Sequence, residues 1–205
     1  MSAPEVVFGP EGLVPCIAQD SLTGEVLMLA WMNREALDRT VETGEVHFFS
    51  RSRGELWRKG ETSGNILRLI ELRIDCDGDS LLALVDPAGP VCHTGERTCF
   101  HRRLEDGTEP DPATGEALGA LARVILERRK ADPSESYTAR LLADPEMAAA
   151  KVTEEAGETV EAVRDEDDQR VAEEAADLLY HLAVLLETRG IGLDRALEVL
   201  NGRRS

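Results

Sequence analysis

The feature that most constrains this chain is an interruption from Glu105 to Glu116 (EDGTEPDPATGE), because the stretches on its two sides have different periodicities. The segment is rich in proline, glycine and acidic residues and has no apolar repeat, so it reads as a linker. Before it, short β-forming runs alternate with turn signals: VHFFS (46–50), LRLIELRI (67–74) and LLALVD (81–86). One helix is predicted there, from Asn33 to Glu42, with Asn33 as its N-cap. After the linker, strand signals vanish and Ala, Leu, Glu and Arg dominate, which predicts helices at about 116–130, 145–164, 168–189 and 193–203. The expected architecture is therefore two domains joined by residues 105–116. Residues 1–104 should form an α+β domain with a mainly antiparallel sheet, and residues 117–205 an all-α helical bundle.

Composition narrows the partners. A net charge of −17 argues against nucleic acid, which needs a basic face. It leaves small phosphorylated substrates open, because divalent metals can bridge carboxylates to phosphate oxygens. No apolar run approaches the ~20 residues that cross a bilayer. The start, MSAPEVVFGPEG, has neither the basic nor the apolar region of a secretory signal. A cytoplasmic protein with no membrane partner is expected. In that compartment the four cysteines, Cys16, Cys76, Cys92 and Cys99, are free thiols or metal ligands before they are disulfides.

Two constellations carry chemistry. The first begins at Asp75-Cys76-Asp77-Gly78-Asp79, which follows a run of strand character. If the strand continues, Asp75, Asp77 and Asp79 share one face, and three adjacent carboxylates repel unless a cation joins them. Hard oxygen donors suit Mg²⁺ or Ca²⁺. A solvated acidic turn is the plainer alternative. An EF-hand loop is disfavoured, because its twelfth position is Asp86 and no helices flank it. Cys76, Cys92 and Cys99 lack zinc-finger spacing, yet three thiolates would hold Zn²⁺ with one position open. Zinc with an open position lowers the pKa of bound water to about 7. His93, next to Cys92, is the candidate general acid/base. Each cysteine could instead be a small buried hydrophobe, and His93 a satisfied surface or core residue.

Taken together, LMLAWMNREAL (27–37), HFFSRSRGELWRKGETSGN (47–65), DCDGD and CHTGERTCF (92–100) closely resemble the phosphoribosyl-AMP cyclohydrolase family, over roughly residues 10–104. The resemblance implies Mg²⁺ at Asp75, Asp77 and Asp79 and Zn²⁺ at Cys76, Cys92 and Cys99. It also implies a homodimer with metal sites at the subunit interface, and hydrolytic opening of an N1-substituted adenine ring between N1 and C6. Arg51, Ser52, Trp57, Lys59, Ser63 and Asn65 are assigned to substrate contact, with Trp57 either a stacking surface or core.

The second constellation lies on two predicted helices. Lys151, Glu154, Glu155 and Glu158 fall within one arc, and Val152, Ala156, Val160 and Val163 form a separate apolar stripe. On the next helix Glu174 and Asp177 are three apart, with His181 continuing that side. Glutamates in a helix usually make a solvated face with i,i+4 partners. Here, however, Glu174 shares a face with Leu185, so Glu174 and Asp177 border the buried side and need partners such as a divalent metal.

The spacings E-E-x-x-E (154–158) and E-x-x-D (174–177), with SYTARLL (136–142) and KVTEEAGE (151–158), resemble the all-α nucleoside triphosphate pyrophosphohydrolases. Within them the match is to the phosphoribosyl-ATP pyrophosphohydrolase family, over roughly 117–204. It implies Mg²⁺ held by Glu154, Glu155, Glu158, Glu174 and Asp177, with Glu155 also carrying a catalytic role. Ser136, Tyr137, Thr138, Arg140 and Lys151 are then candidate substrate contacts. The two resemblances imply a bifunctional histidine-biosynthesis hydrolase acting on phosphoribosyl nucleotides. Two rivals remain: a house-cleaning nucleoside triphosphate pyrophosphohydrolase with an attached zinc domain, and a non-catalytic protein whose zinc is structural.

Overall fold

The computed structural model describes residues 5–111 and 113–203. These divide into two compact units, one ending at Gly115 and one beginning at Glu116.

The first unit is a six-stranded mixed sheet crossed by one helix. Its strands are β1 (Val14–Asp20), β2 (Val26–Met32), β3 (His47–Ser50), β4 (Glu55–Arg58), β5 (Leu67–Ile74) and β6 (Leu81–Pro87), and the helix is α1 (Arg34–Thr43). The sheet order is β4-β3-β2-β1-β6-β5. Every neighbouring pair is antiparallel except β1 with β6, which pair in parallel from Cys16↔Leu81 to Asp20↔Val85. The expected mainly antiparallel sheet is thus present, with one parallel seam.

Period two decides which side chains enter the core. In β1, Val14, Cys16, Ala18 and Asp20 are buried, and in β6 Leu81, Ala83, Val85 and Pro87 are. They pack with Leu27, Met32, Phe48 and Leu67 and with Ala36 and Leu37 of α1. The Asn33 side chain accepts the Ala36 N–H at 2.8 Å, capping α1 as its position predicts. At the other end Gly44 takes φ +68, the left-handed conformation that ends a helix. Thr40, fully buried, accepts the His47 N–H at 2.9 Å and so ties α1 to β3.

Three strands were not anticipated. β1 contains Pro15 and ends on Asp20, β2 is a nearly unbroken apolar run, and β4 is four residues long, so none alternates cleanly in sequence. One expectation is corrected: the strand through LRLIELRI stops at Ile74 and does not carry on through the aspartates.

The second unit is helical. Its elements are a 3₁₀ turn (Thr114–Glu116), α2 (Ala117–Arg128), α3 (Tyr137–Ala143), α4 (Pro145–Asp165), α5 (Asp168–Glu187) and α6 (Leu193–Gly202). α4 and α5 form the long hairpin, and Ile125, Leu141, Ala148, Ala183, Val184 and Leu193 form the core beside it. Asp144 and Asp167 cap α4 and α5, accepting the N–H of Met147 at 3.0 Å and of Arg170 at 2.9 Å. α3 was missed because seven residues are too few to show a 3.6-residue period.

A second expectation is overturned. The stripe Val152, Ala156, Val160 and Val163 is not the packed face of α4, since Val160 and Val163 are 49% and 65% exposed. The buried positions are Ala148, Glu155 and Ala162, seven apart. Alanine leaves room for a neighbouring helix to approach closely, and Glu155 tolerates burial because polar partners surround it.

Candidate metal and active sites

In the first unit the aspartates come together through a turn. Asp75 Oδ1 accepts the N–H of Gly78 at 2.9 Å and of Ser80 at 3.2 Å, and Asp75 N–H donates to the Ser80 carbonyl at 3.1 Å. Gly78 sits at φ +84, and a Cβ there would lie 2.8 Å from the Glu5 carbonyl oxygen, so the turn requires glycine. The outcome is that one oxygen each of Asp75, Asp77 and Asp79 lie within 4.8 Å of one another, all on exposed residues. The grouping expected of a pleated strand is met by a different backbone. Desolvation acts to raise the Asp75 pKa, but the Ser80 and Gly78 N–H groups outweigh it and hold it below the usual carboxylate value.

The thiols divide. Cys92 and Cys99 interact directly with each other, and each acts electrostatically on Lys59. The Thr94 hydroxyl, 3.1 Å from the Cys92 sulfur, is the main influence lowering that thiol's pKa. Burial of its sulfur, then the neighbouring Cys92, pushes Cys99 up to about 11. Lys59 is buried, which pulls its ammonium down, while the two sulfurs push it back up. Cys76 is exposed at the aspartate turn and does not join this pair: among the described residues, no three-thiol group lies within 4.8 Å. Cys16 lies in the sheet core, pushed up to about 12 by burial, and stays a neutral thiol. His93 is exposed, with Nδ1 3.8 Å from the Cys92 sulfur.

The expected substrate residues lie on β4 and on the turns that follow β3 and β4. Arg51 and Ser52 are exposed on the β3–β4 turn, where the Arg51 guanidinium lies 4.7 Å from the Trp31 ring centre. Trp57 takes the core option: half-buried, it packs on Phe48 at 5.3 Å between ring centres. Ser63 accepts the Asn65 N–H at 3.2 Å, and Asn65 donates to the Pro90 carbonyl at 2.8 Å, fastening this turn to the segment that leads into Cys92. Gly60 is obligatory there, since a Cβ would come within 2.4 Å of the Asn65 backbone.

In the second unit, one oxygen each of Glu155, Glu158 and Glu174 fall within 4.8 Å. Glu155 and Glu174 are 6% and 3% exposed. Two of the five expected ligands stand outside this group. Glu154 is exposed and pairs with Lys151 at 2.8 Å, and Asp177 is exposed, its carbonyl lying 2.9 Å from His181 Nδ1. Consecutive helix residues point about 100° apart, so Glu155 faces inward while its neighbour Glu154 faces solvent. The charge is offset locally by Lys151, 3.3 Å from Glu155, and by Arg170, which pairs with Glu174. Glu154 and then Glu155 hold the Lys151 ammonium charged well above its ordinary range. Desolvation, then the Glu174 and Glu155 charges, raises the Glu158 carboxyl.

Sequence reasoning gave no role to Arg170 or His181. Arg170 was readable as the i−4 neighbour of Glu174. Buried His181 lies with Nδ1 3.6 Å from Glu155 and Nε2 3.3 Å from the Tyr137 hydroxyl, which required knowing where α3 packs. The candidate substrate hydroxyls have local partners: Ser136 caps α3, and Thr138 meets the Tyr180 hydroxyl at 2.8 Å. Arg140 is exposed beside the Tyr137 ring at 5.3 Å.

The donor chemistry fits metals. Paired thiols suit a soft ion such as zinc, and clustered carboxylates suit a hard divalent cation.

The phosphoribosyl-AMP cyclohydrolase family model matches residues 28–101, and the phosphoribosyl-ATP pyrophosphohydrolase family model matches residues 118–204. A protein of Thermosynechococcus vestitus named histidine biosynthesis bifunctional protein HisIE is 45% identical over 202 residues, covering 98% of this chain and 94% of its own. Proteins of the same name from Bacillus subtilis and Thermus thermophilus are 45% and 47% identical, covering 99% and 93% of this chain and 97% and 88% of their own. The chain therefore belongs to the family of histidine biosynthesis bifunctional proteins HisIE, with the cyclohydrolase segment first and the pyrophosphohydrolase segment second.

Proposed function

We propose that the chain catalyses two consecutive hydrolyses of histidine biosynthesis, each in one of its domains, with the second domain acting first. Residues 117–205 convert phosphoribosyl-ATP to phosphoribosyl-AMP and pyrophosphate. Residues 1–104 then open the adenine ring of phosphoribosyl-AMP, and 105–116 link the two. The observation that carries this reading is that each matched segment contains a metal-suited cluster of the chemistry its reaction needs.

In the pyrophosphohydrolase domain, Glu155, Glu158 and Glu174 are the central ligands, with Glu154 and Asp177 joining them at the exposed edge. Bound Mg²⁺ would screen the triphosphate charge and orient the attacking water. Lys151 and Arg140 supply cationic contacts to phosphate, and Glu155 accepts the proton of the water. His181 and Lys151 hold the Glu155 carboxylate in place while it does so.

Ring opening adds water across the N1–C6 bond: oxygen joins C6, the N1–C6 bond breaks, one water proton passes to N1, and the other passes to the exocyclic nitrogen on C6, leaving a carboxamide. His93 is the residue we assign to the proton that reaches N1, and Lys59, a buried cation beside two thiols, favours negative charge developing there. Arg51, Ser52, Ser63 and Asn65 hold the phosphoribosyl groups, and Trp57 supports them from the core side. Cys92 and Cys99 would hold zinc together with Cys76 of a second copy in a homodimer, and Asp75, Asp77 and Asp79 would hold Mg²⁺. Bound zinc would supply an activated water at neutral pH. The separation of Cys76 from the other two thiols supports a shared site. We place this activity in the cytoplasm; no helix among the described residues is long and apolar enough to cross a membrane.

The test is a time course with phosphoribosyl-ATP, Mg²⁺ and Zn²⁺ that follows pyrophosphate and ring opening separately. Ring opening should lag behind pyrophosphate. Failure to open supplied phosphoribosyl-AMP would remove the first domain's assignment, and equal hydrolysis of ordinary nucleoside triphosphates would remove the second's.

A further inference from the structure

The segment carrying Cys92 and Cys99 has little apolar anchorage. Val91 is buried, but His93 to Glu96 are exposed, and so is Phe100 just beyond. Its backbone folds on itself: Cys92 N–H donates to Glu96 carbonyl at 2.9 Å, and Val91 N–H to the Arg97 carbonyl at 3.1 Å. What fixes this small hairpin to the sheet is polar. The Arg97 guanidinium reaches two carboxylates of the β1–β2 turn, donating through Nε to Glu25 and through Nη2 to Asp20. Asp20 is 1% exposed and is itself immobilised, its other oxygen accepting the N–H of Leu22 at 2.8 Å and of Thr23 at 3.1 Å. The contacts then continue to the backbone of Cys99: Thr98 donates to the Val26 carbonyl at 2.7 Å, and Cys99 N–H donates to the Leu27 carbonyl at 2.8 Å.

We infer that Arg97, clamped between Asp20 and Glu25, is a positioning residue that sets the spacing of the Cys92 and Cys99 thiols for metal. This rests on the zinc reading of that pair. Arg97 lies between the two cysteines in sequence, and its own carbonyl closes the hairpin that begins at Val91. Its charge is matched by two carboxylates, so it acts on the sulfurs through geometry. A loop ordered during folding need not be ordered again when metal binds, and that difference appears as affinity. Lysine would keep the charge but not the two-pronged geometry.

The experiment compares Arg97→Gln, Arg97→Lys and Glu25→Gln with the parent in the full chain. Zinc affinity is measured by chelator competition, and alkylation rates of Cys92 and Cys99 are measured in the zinc-free protein. Pyrophosphate release by the second domain serves as an internal control that should not change. Arg97→Gln should weaken zinc by about 10–100-fold, the usual loss when a residue supporting a metal ligand is removed. Arg97→Lys and Glu25→Gln should lose less, and all three should change the thiol alkylation rates. Should Arg97→Gln fail to fold, the other two decide, because Asp20 keeps a cationic partner in each. Unaltered zinc affinity and alkylation in those variants would overturn the clamp, even if their melting temperatures fell. If zinc affinity is equally indifferent to Cys92→Ala, the zinc reading fails instead, and the alkylation rates alone then judge the clamp.

Discussion

The two candidate sites are built in opposite ways. In the helical domain the candidate ligands project from two long helices, and a single chain gathers three carboxylates, two of them buried. In the sheet domain the candidate ligands sit on segments outside the strands, and a single chain gathers two thiols and, separately, three exposed aspartates. A helix pair can complete a site internally because facing side chains converge along its length. Turns at a sheet's edge converge less, and such a site has open sides that a second copy can close. The difference predicts that the domains depend on different residues and on different assembly.

The largest effects separate them outright. Cys92→Ala should lower ring opening by more than about 100-fold, exceeding the loss typical of a supporting residue, while pyrophosphate release survives. Glu155→Gln should do the reverse, with ring opening measured on supplied phosphoribosyl-AMP. A folded variant that lost both activities would break the two-site division.

A subtler effect tests completeness. Co-expressing Cys76→Ala and Cys92→Ala chains gives mixed dimers in which one of two shared sites has all three thiols. Recovery of roughly a quarter of the parent ring-opening rate is expected, from half the dimers being mixed and half their sites intact. If Cys76 served its own chain, mixed dimers would stay inactive. The pyrophosphohydrolase rate should be the same in every mixture.

The same contrast governed what the sequence disclosed. α4 and α5 were legible nearly to the residue, because long helices repeat their pattern many times and open on strong caps. The buried face of α4 was not, since valines mark an apolar stripe while Ala148, Glu155 and Ala162 mark the packed one. Nothing local says that a glutamate will be enclosed; that depends on His181 and Lys151 arriving from one turn or one helix away. In the sheet domain the motif residues can be picked out, yet the sequence leaves open whether Asp75, Asp77 and Asp79 are gathered by a continuing strand or by an acidic turn. Alternating residues look alike in a pleat and in a glycine-hinged turn. Arg97 passed unnoticed because its partners, Asp20 and Glu25, lie more than seventy positions away.

Within the helical cluster, burial ranks the ligands. Glu155→Gln and Glu174→Gln should cost more pyrophosphate release than Glu154→Gln or Asp177→Asn, whose carboxylates lie at the solvent edge. Equal losses across all four, measured at saturating Mg²⁺, would mean that binding metal draws the outer pair fully into the cluster.

The smallest effect concerns the cluster without metal. The folded-state pKa of Glu158 is raised above 4.5 by desolvation and by the Glu174 and Glu155 charges. The folded protein therefore holds that proton more tightly than the unfolded chain does. Its contribution to stability is present below about pH 4.5 and is lost as pH rises through the raised folded value. The metal-free helical domain should thus lose stability on that side of pH 4.5, and Glu158→Gln should flatten the slope. Mg²⁺ should restore stability by binding the ionised cluster, by about 2.7 kcal/mol at a hundredfold excess over its dissociation constant. In the sheet domain Asp75 carries no such strain, since it is already held ionised by N–H donors. Thermal unfolding followed separately for each domain, with and without Mg²⁺, should therefore show the pH slope in the helical domain. A Glu158→Gln variant with an unchanged slope would show that carboxylate crowding is not what the metal relieves.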